Sequence, residues 1–204
     1  EYQENSHCTN VTVDNIRRNI SSFFSWLEEE DYILKSPMKR IHKIKTKTVV
    51  KSVISDEGIE KLRDYCTESR DLAIIDLLYS TGIRVGELVN LNIDDIDLEG
   101  RECVVYGKGN KERRVYFDAK AKVHLKRYME ERQDNNEALF VTLDYPYNRL
   151  KISGVEIRLR SLGRKLNLER IHPHKFRRTM ATRAIDKGMP IEQVQKILGH
   201  SQID

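Results

Sequence analysis

Cysteine is scarce in this sequence and widely scattered: Cys8, Cys66 and Cys103 are an odd number, with no metal-ligand spacing between any two. That layout excludes a disulfide framework and a cysteine-built zinc site, and it makes a reducing cytoplasm the expected compartment. Long apolar runs are also lacking. Nothing approaches the roughly 20 residues of a membrane span, and the first residues do not have the layout of a secretory signal. There is no internal repeat, no low-complexity stretch and no acidic cluster suited to a divalent metal, so neither a metal nor a cofactor is expected.

What the chain has in abundance is charge, and the charge is segregated. Across 204 residues the formal net charge is only +4. Yet residues 35–55 hold seven Lys or Arg and no Asp or Glu, residues 149–183 hold eleven against two, and residues 108–114 hold four against one. Cations gathered into windows point to a polyanion met on one surface, and nucleic acid is the obvious candidate.

Hydrophobic periodicity outlines the elements. From Thr12, a plausible N-cap, the positions Ile16, Ile20, Phe23, Phe24 and Leu27 form the stripe of an amphipathic helix that cannot bury itself alone. The acidic residues 28–31 read as its solvated end. Pro37 then opens a basic, extended linker in which Lys43, Lys45 and Lys47 are spaced to follow a phosphate backbone. Ser55 starts a helix whose buried side is Ile59, Leu62 and Tyr65 or Cys66. A second helix, from about Asp71 to Ser80, carries the core run 72–78 and stops at Gly82. A short helix follows, with Arg84 at its start and Glu87 and Leu88 on it.

From Ile93 the period becomes alternating, and 93–98, 102–106 and 113–117 are expected as three short strands, with Lys108 at the tip of the second hairpin between two glycines. Helices are expected again over 119–132, over 153–167 with a basic face (Arg158, Arg160, Arg164, Lys165), and over 191–198 before Gly199. The most telling stretch is Arg170 to Thr179. Pro173 suits a first helical turn, and His174 and Arg177, three residues apart, share one face beside the positive end of the helix dipole. An anion is welcome there. The fold class expected is mainly α with a small three-stranded antiparallel sheet.

Three segments together carry a resemblance: Thr81-Gly82-Ile83-Arg84-Val85-Gly86-Glu87-Leu88, the hairpin from Gly107 to Arg113, and His174-x-x-Arg177 with Leu198-Gly199-His200-Ser201. In this order they resemble the tyrosine recombinase, or phage integrase, family. The resemblance implies a catalytic domain over 55–204, a basic linker over 46–54, and over 1–45 the C-terminal part of a helical core-binding domain. Carried over by position, it implies that Arg84 and Arg177 grip one scissile phosphate. Lys108 would serve as general acid, His174 as proton acceptor, and His200 as a further donor to the phosphate, with Glu87 supporting them from behind. Lys111, Arg113, Lys175 and Arg178, with the linker lysines, are expected on the DNA.

The implied reaction is transesterification by a tyrosine through a 3′-phosphotyrosine link, without metal, by an enzyme that is tetrameric in synapsis and typical of mobile elements and integration. In the family the tyrosine follows the Leu-Gly-His segment by roughly nine residues. The nine tyrosines here all lie upstream, so the nucleophile is expected beyond Asp204 and this chain alone is expected to be inactive. Two readings stay open beside this one: a non-catalytic DNA-binding regulator, and a type IB topoisomerase-like nicking and closing enzyme.

Overall fold

A computed structural model describes residues 8–45, 51–107 and 112–199. Chain contacts divide it into two units, Glu1–Lys51 and Ser52–Asp204.

In the first unit, helix α1 spans Asn10–Glu29. Its N-cap is Thr9 rather than Thr12, because Thr9 Oγ1 accepts the Thr12 amide at 3.3 Å. The predicted stripe is only partly covered: Phe24 and Leu27 are half-buried, Ile16, Ile20 and Phe23 are exposed, as is Trp26, and Asp14 is the one buried residue of α1. Asp14 holds the chain's return by accepting from Arg17 Nε at 2.9 Å and from the Ile44 amide at 3.3 Å. Glu28 does not end in solvent as expected. It accepts from the Ser36 amide at 3.2 Å and pairs with Lys39, so it ties α1 to the single 3-10 turn Pro37–Arg40.

The second unit begins with α2, Asp56–Tyr65, capped by Ser55 Oγ on the Gly58 amide at 3.1 Å. Ile59 and Leu62 face the core, Cys66 is half-buried, and Tyr65 turns outward. Helix α3, Ser69–Thr81, is the spine. Ala73, Ile74, Ile75, Leu77 and Leu78 are buried, and α5 and α7 pack on it. A helix hydrophobic nearly all round belongs in a protein's interior, and α3 is that helix here. Its two buried carboxylates are paired, Asp71 with Arg70 at 2.7 Å and also with Arg158, and Asp76 with Arg63 at 2.6 Å. Arg158 of the predicted basic face is therefore turned inward.

Gly82 ends α3 at φ 63°, in the left-handed region where a side chain costs roughly 1–2 kcal/mol. Helix α4, Val85–Asn90, starts at Arg84. The sheet is antiparallel in the order β1-β2-β3, with β2 at Glu102–Tyr106 and β3 at Glu112–Tyr116. Strand β1 is only Ile96–Asp97, shorter than expected. Asp95 accepts the Asn92 amide at 2.8 Å, and this local bond winds 93–95 into a 3-10 turn instead of strand. The register sets Cys103 opposite Val115 and Val105 opposite Arg113. Odd positions of both strands therefore face the core and even ones face water.

Helices α5 (Ala119–Glu131), α6 (Ile152–Lys165), α7 (Pro173–Asp186) and α8 (Ile191–Leu198) complete the unit. Phe140 stacks on Tyr128 at 5.6 Å, and Phe176 of α7 is fully buried behind the face that carries His174. Burial pushes the thiols of Cys66 and Cys103 up to about 12, so both act as small core residues. No described helix is long and apolar enough to cross a membrane.

Candidate active site

Two helix starts and one helix end build the site. Pro173 begins α7 and sets His174, exposed, on its first turn, with Arg177 one turn further in. Gly82 turns the chain so that Arg84 stands at the mouth of α4. Gly199, at φ 65°, ends α8 beside both.

The two arginines converge. Arg177, 8% exposed, donates through Nη1 to the Gly82 carbonyl at 2.7 Å and through Nη2 to the Leu198 carbonyl. Arg84 donates through Nη2 to the Gly199 carbonyl at 3.3 Å and through Nη1 to Glu87 Oε1 at 3.1 Å. Its side chain remains 39% exposed. Thus one guanidinium is rooted and the other open, both attached to the same pair of chain turns.

Their charges are handled differently. Glu87, with a side chain only 5% exposed, accepts the Arg84 amide at 2.7 Å and a fork from Arg113 at 2.8 and 2.9 Å. Burial would raise its carboxyl, but the Arg113 hydrogen bond and the Arg84 amide outweigh burial and hold it below the usual range. Among the described residues Arg177 donates only to carbonyls. Burial, with the Arg84 charge beside it, pushes its guanidinium down to about 10, which leaves it protonated at neutral pH. A buried cation that hydrogen-bonds, among the described residues, to carbonyls and not to a carboxylate, with Glu87 opposing the push only in part and a second cation beside it, is a place where a dianion relieves a cost instead of adding one.

The sequence-expected residues fall into four groups. Arg84, Arg177 and Glu87 come together, with His174 one turn along the same helix as Arg177. Lys43 and Lys45 are exposed on the linker. Lys47, Lys108, Lys111 and His200 lie outside the described residues. Three expected DNA contacts point elsewhere. Arg113 shares the inward face of β3 with Val115 and forks onto Glu87. Lys175 is 3% exposed and pairs with Glu169 at 2.9 Å. Arg178 donates to the Ser52 carbonyl at 2.9 Å.

In each case an acceptor within the chain takes a hydrogen bond from the cation, and the one made by Arg178 is exposed and uses one of its nitrogens. The strand alternation could have revealed Arg113, since it lies two and four residues before the buried Val115 and Phe117. An open basic cleft lies instead between Arg160, Arg164, Leu168 and Arg170. Among the described residues no group of three His, Cys, Asp or Glu side chains could hold a metal ion.

Comparison with known proteins agrees with this geometry. Residues 34–204 match the model of the phage integrase family. The tyrosine recombinase XerC of Oceanobacillus iheyensis is 33% identical over 230 residues, covering 97% of this chain and 75% of the relative. That of Thermodesulfovibrio yellowstonii is 34% identical over 206 residues, covering 95% and 68%. Among solved structures, the XerA recombinase superposes with a TM-score of 0.70 at 26% identity, over 95% of this chain and 75% of that one. The Tn1549 transposon integrase in complex with a circular intermediate DNA reaches 0.82 over 98% of this chain and 74% of that one, at 19% identity, a likeness of fold. The chain belongs to the phage integrase family, and its function is that family's: site-specific recombination by an enzyme that breaks and rejoins DNA.

Proposed function

We propose that the chain exchanges strands by transesterification at one phosphate held between Arg84 and Arg177. A tyrosine hydroxyl attacks the phosphorus, its proton passes to His174, and the bond to the 5′-oxygen breaks. Lys108 protonates that oxygen, and His200 donates to the phosphate. The product is a 3′-phosphotyrosine link and a free 5′-hydroxyl. Reversing the step with a different 5′-hydroxyl joins new strands without ATP, because the bond energy stays in the link.

The observation that carries this reading is the buried Arg177 guanidinium, which among the described residues hydrogen-bonds to two carbonyls and is set beside the open Arg84. Two forks suit the equatorial oxygens of a pentavalent phosphorus and need no metal to neutralise it. The nucleophile is a tyrosine that would follow the Leu198-Gly199-His200 segment in the family's order, a place none of the nine tyrosines of residues 1–204 holds. The substrate is a double-stranded recombination site in the cytoplasm, of the kind mobile elements carry, bound by a homotetramer. The linker lysines and the cleft of Arg160, Arg164 and Arg170 would track its backbone.

A nicked suicide duplex tests the mechanism. A protein including the tyrosine should form a covalent 3′ adduct that Arg177→Gln abolishes, while residues 1–204 alone bind the duplex and form none. Adduct formation by residues 1–204 would sink the assignment of the nucleophile. Relaxation of supercoiled plasmid lacking any recombination site would instead mark a nicking and closing enzyme.

A further inference from the structure

Three consecutive carbonyls at the end of α8 each accept from a different arginine. Ile197 O accepts Arg113 Nε at 3.2 Å, Leu198 O accepts Arg177 Nη2, and Gly199 O accepts Arg84 Nη2 at 3.3 Å. The Gly199 amide has already turned back to Lys196 O at 3.0 Å, closing the helix. The last carbonyls of a helix have no intrahelical donors, and its C-terminus carries partial negative charge. Cations are the natural cap there. What is unusual is that two of these caps are the proposed phosphate-gripping pair, and the third, Arg113, is not.

Arg113 stands on β3, the strand paired with β2 in the hairpin, and its remaining two nitrogens occupy both oxygens of Glu87. Glu87 in turn holds the amide and side chain of Arg84. A single guanidinium thus joins the hairpin, the helix start that presents Arg84, and the α8 end that anchors Arg84 and Arg177. Space is tight on the α8 side: a Cβ on Gly199 would lie 3.2 Å from Arg113 Cζ.

We propose that Arg113 is a positioning residue that fixes the end of α8 and Arg84 relative to the hairpin. It makes no contact with the phosphate, and the inference rests on Arg84 and Arg177 being the groups that do. Arginine is required because three donors in a fixed plane serve two oxygens and a carbonyl, which a lysine point charge cannot reach together. Without the fork Glu87 would draw Arg84 to itself, and the carbonyls that aim both arginines would loosen.

Sulfate, a dianion across the neutral range, serves as probe in residues 1–204, with affinity read from its effect on the thermal midpoint at constant ionic strength. Arg113→Lys is expected to weaken sulfate binding about tenfold, the equivalent of one charge-assisted contact from an Arg84 that is no longer held in place. Gly199→Ala, which presses on the same guanidinium from the other side, should do likewise. Both should speed amide hydrogen exchange over 191–199 more than elsewhere. Ile59→Val, a mild core change in α2, controls for stability alone and should leave sulfate affinity intact.

Unchanged affinity and unchanged exchange in both variants would overturn the proposal. So would a lysine variant that binds sulfate like the parent. If Arg177→Gln does not weaken sulfate binding, the phosphate reading itself fails, while the exchange measurement still decides whether Arg113 orders α8.

Discussion

Glu87→Gln gives the most direct measure of how the site's charges are balanced. The substitution keeps the shape of the side chain and removes the one carboxylate between Arg84 and Arg113. Removing one member of a buried, hydrogen-bonded ion pair typically costs about 3–5 kcal/mol, because the partner's charge is left stranded. Arg84 is open to water and can recover hydration, while Arg113 is less able to, so the lower end, about 3 kcal/mol at pH 7, is expected. For a unit of this size that corresponds to a fall of roughly 6–12 °C in thermal midpoint.

The pH dependence supplies the sign. The folded-state carboxyl lies below its ordinary value of 4.5, so its stabilisation is present in full above about pH 4.5 and is lost as the pH falls through the folded-state value. Urea unfolding of both proteins between pH 7 and pH 3.5 should show a gap that is constant near neutrality and narrows in acid. Groups other than residue 87 titrate alike in both and largely cancel. A gap below about 1 kcal/mol at pH 7, or one that does not narrow, would refute the argument that this carboxylate is held ionised by its arginines.

Two further expectations concern backbone and imidazole. In Gly82→Ala the new Cβ would run into Met180 Cε while the backbone is held at φ +63°. Chemical denaturation should show a loss of about 2 kcal/mol, and sulfate binding should weaken because the Gly82 carbonyl that aims Arg177 moves. A Gly82→Ala protein as stable as the parent would contradict the left-handed turn. His172, just before α7, has its pKa lowered by burial and then by the neighbouring charges of Arg178 and His174. Its contribution to stability is therefore complete above about 6.5 and is lost as the pH falls through the depressed folded-state value. The stability of the parent relative to His172→Gln should decline between pH 7 and pH 5, and an increase over that range would reverse the sign.

The sequence by itself determined the local punctuation and the class of chemistry. Ser55, Gly82, Pro173 and Gly199 act through their own backbone and nearest neighbours, and the helices start or stop beside them. The β2 and β3 strands were legible from alternation, and Arg84, Glu87 and Arg177 from motif order. Where a residue's role depends on a distant acceptor, sequence separation hides it. Tertiary structure alone decided that Arg113 would serve Glu87 and the α8 end, that Lys175 would be spent on Glu169, that Arg158 would neutralise the buried Asp71, and that much of the stripe of α1 would stand exposed. The physical reason is the same in each case. A long cationic side chain goes to whatever oxygen the fold brings within about 3 Å, and which oxygen that is depends on how strands and helices far apart in the chain come to pack.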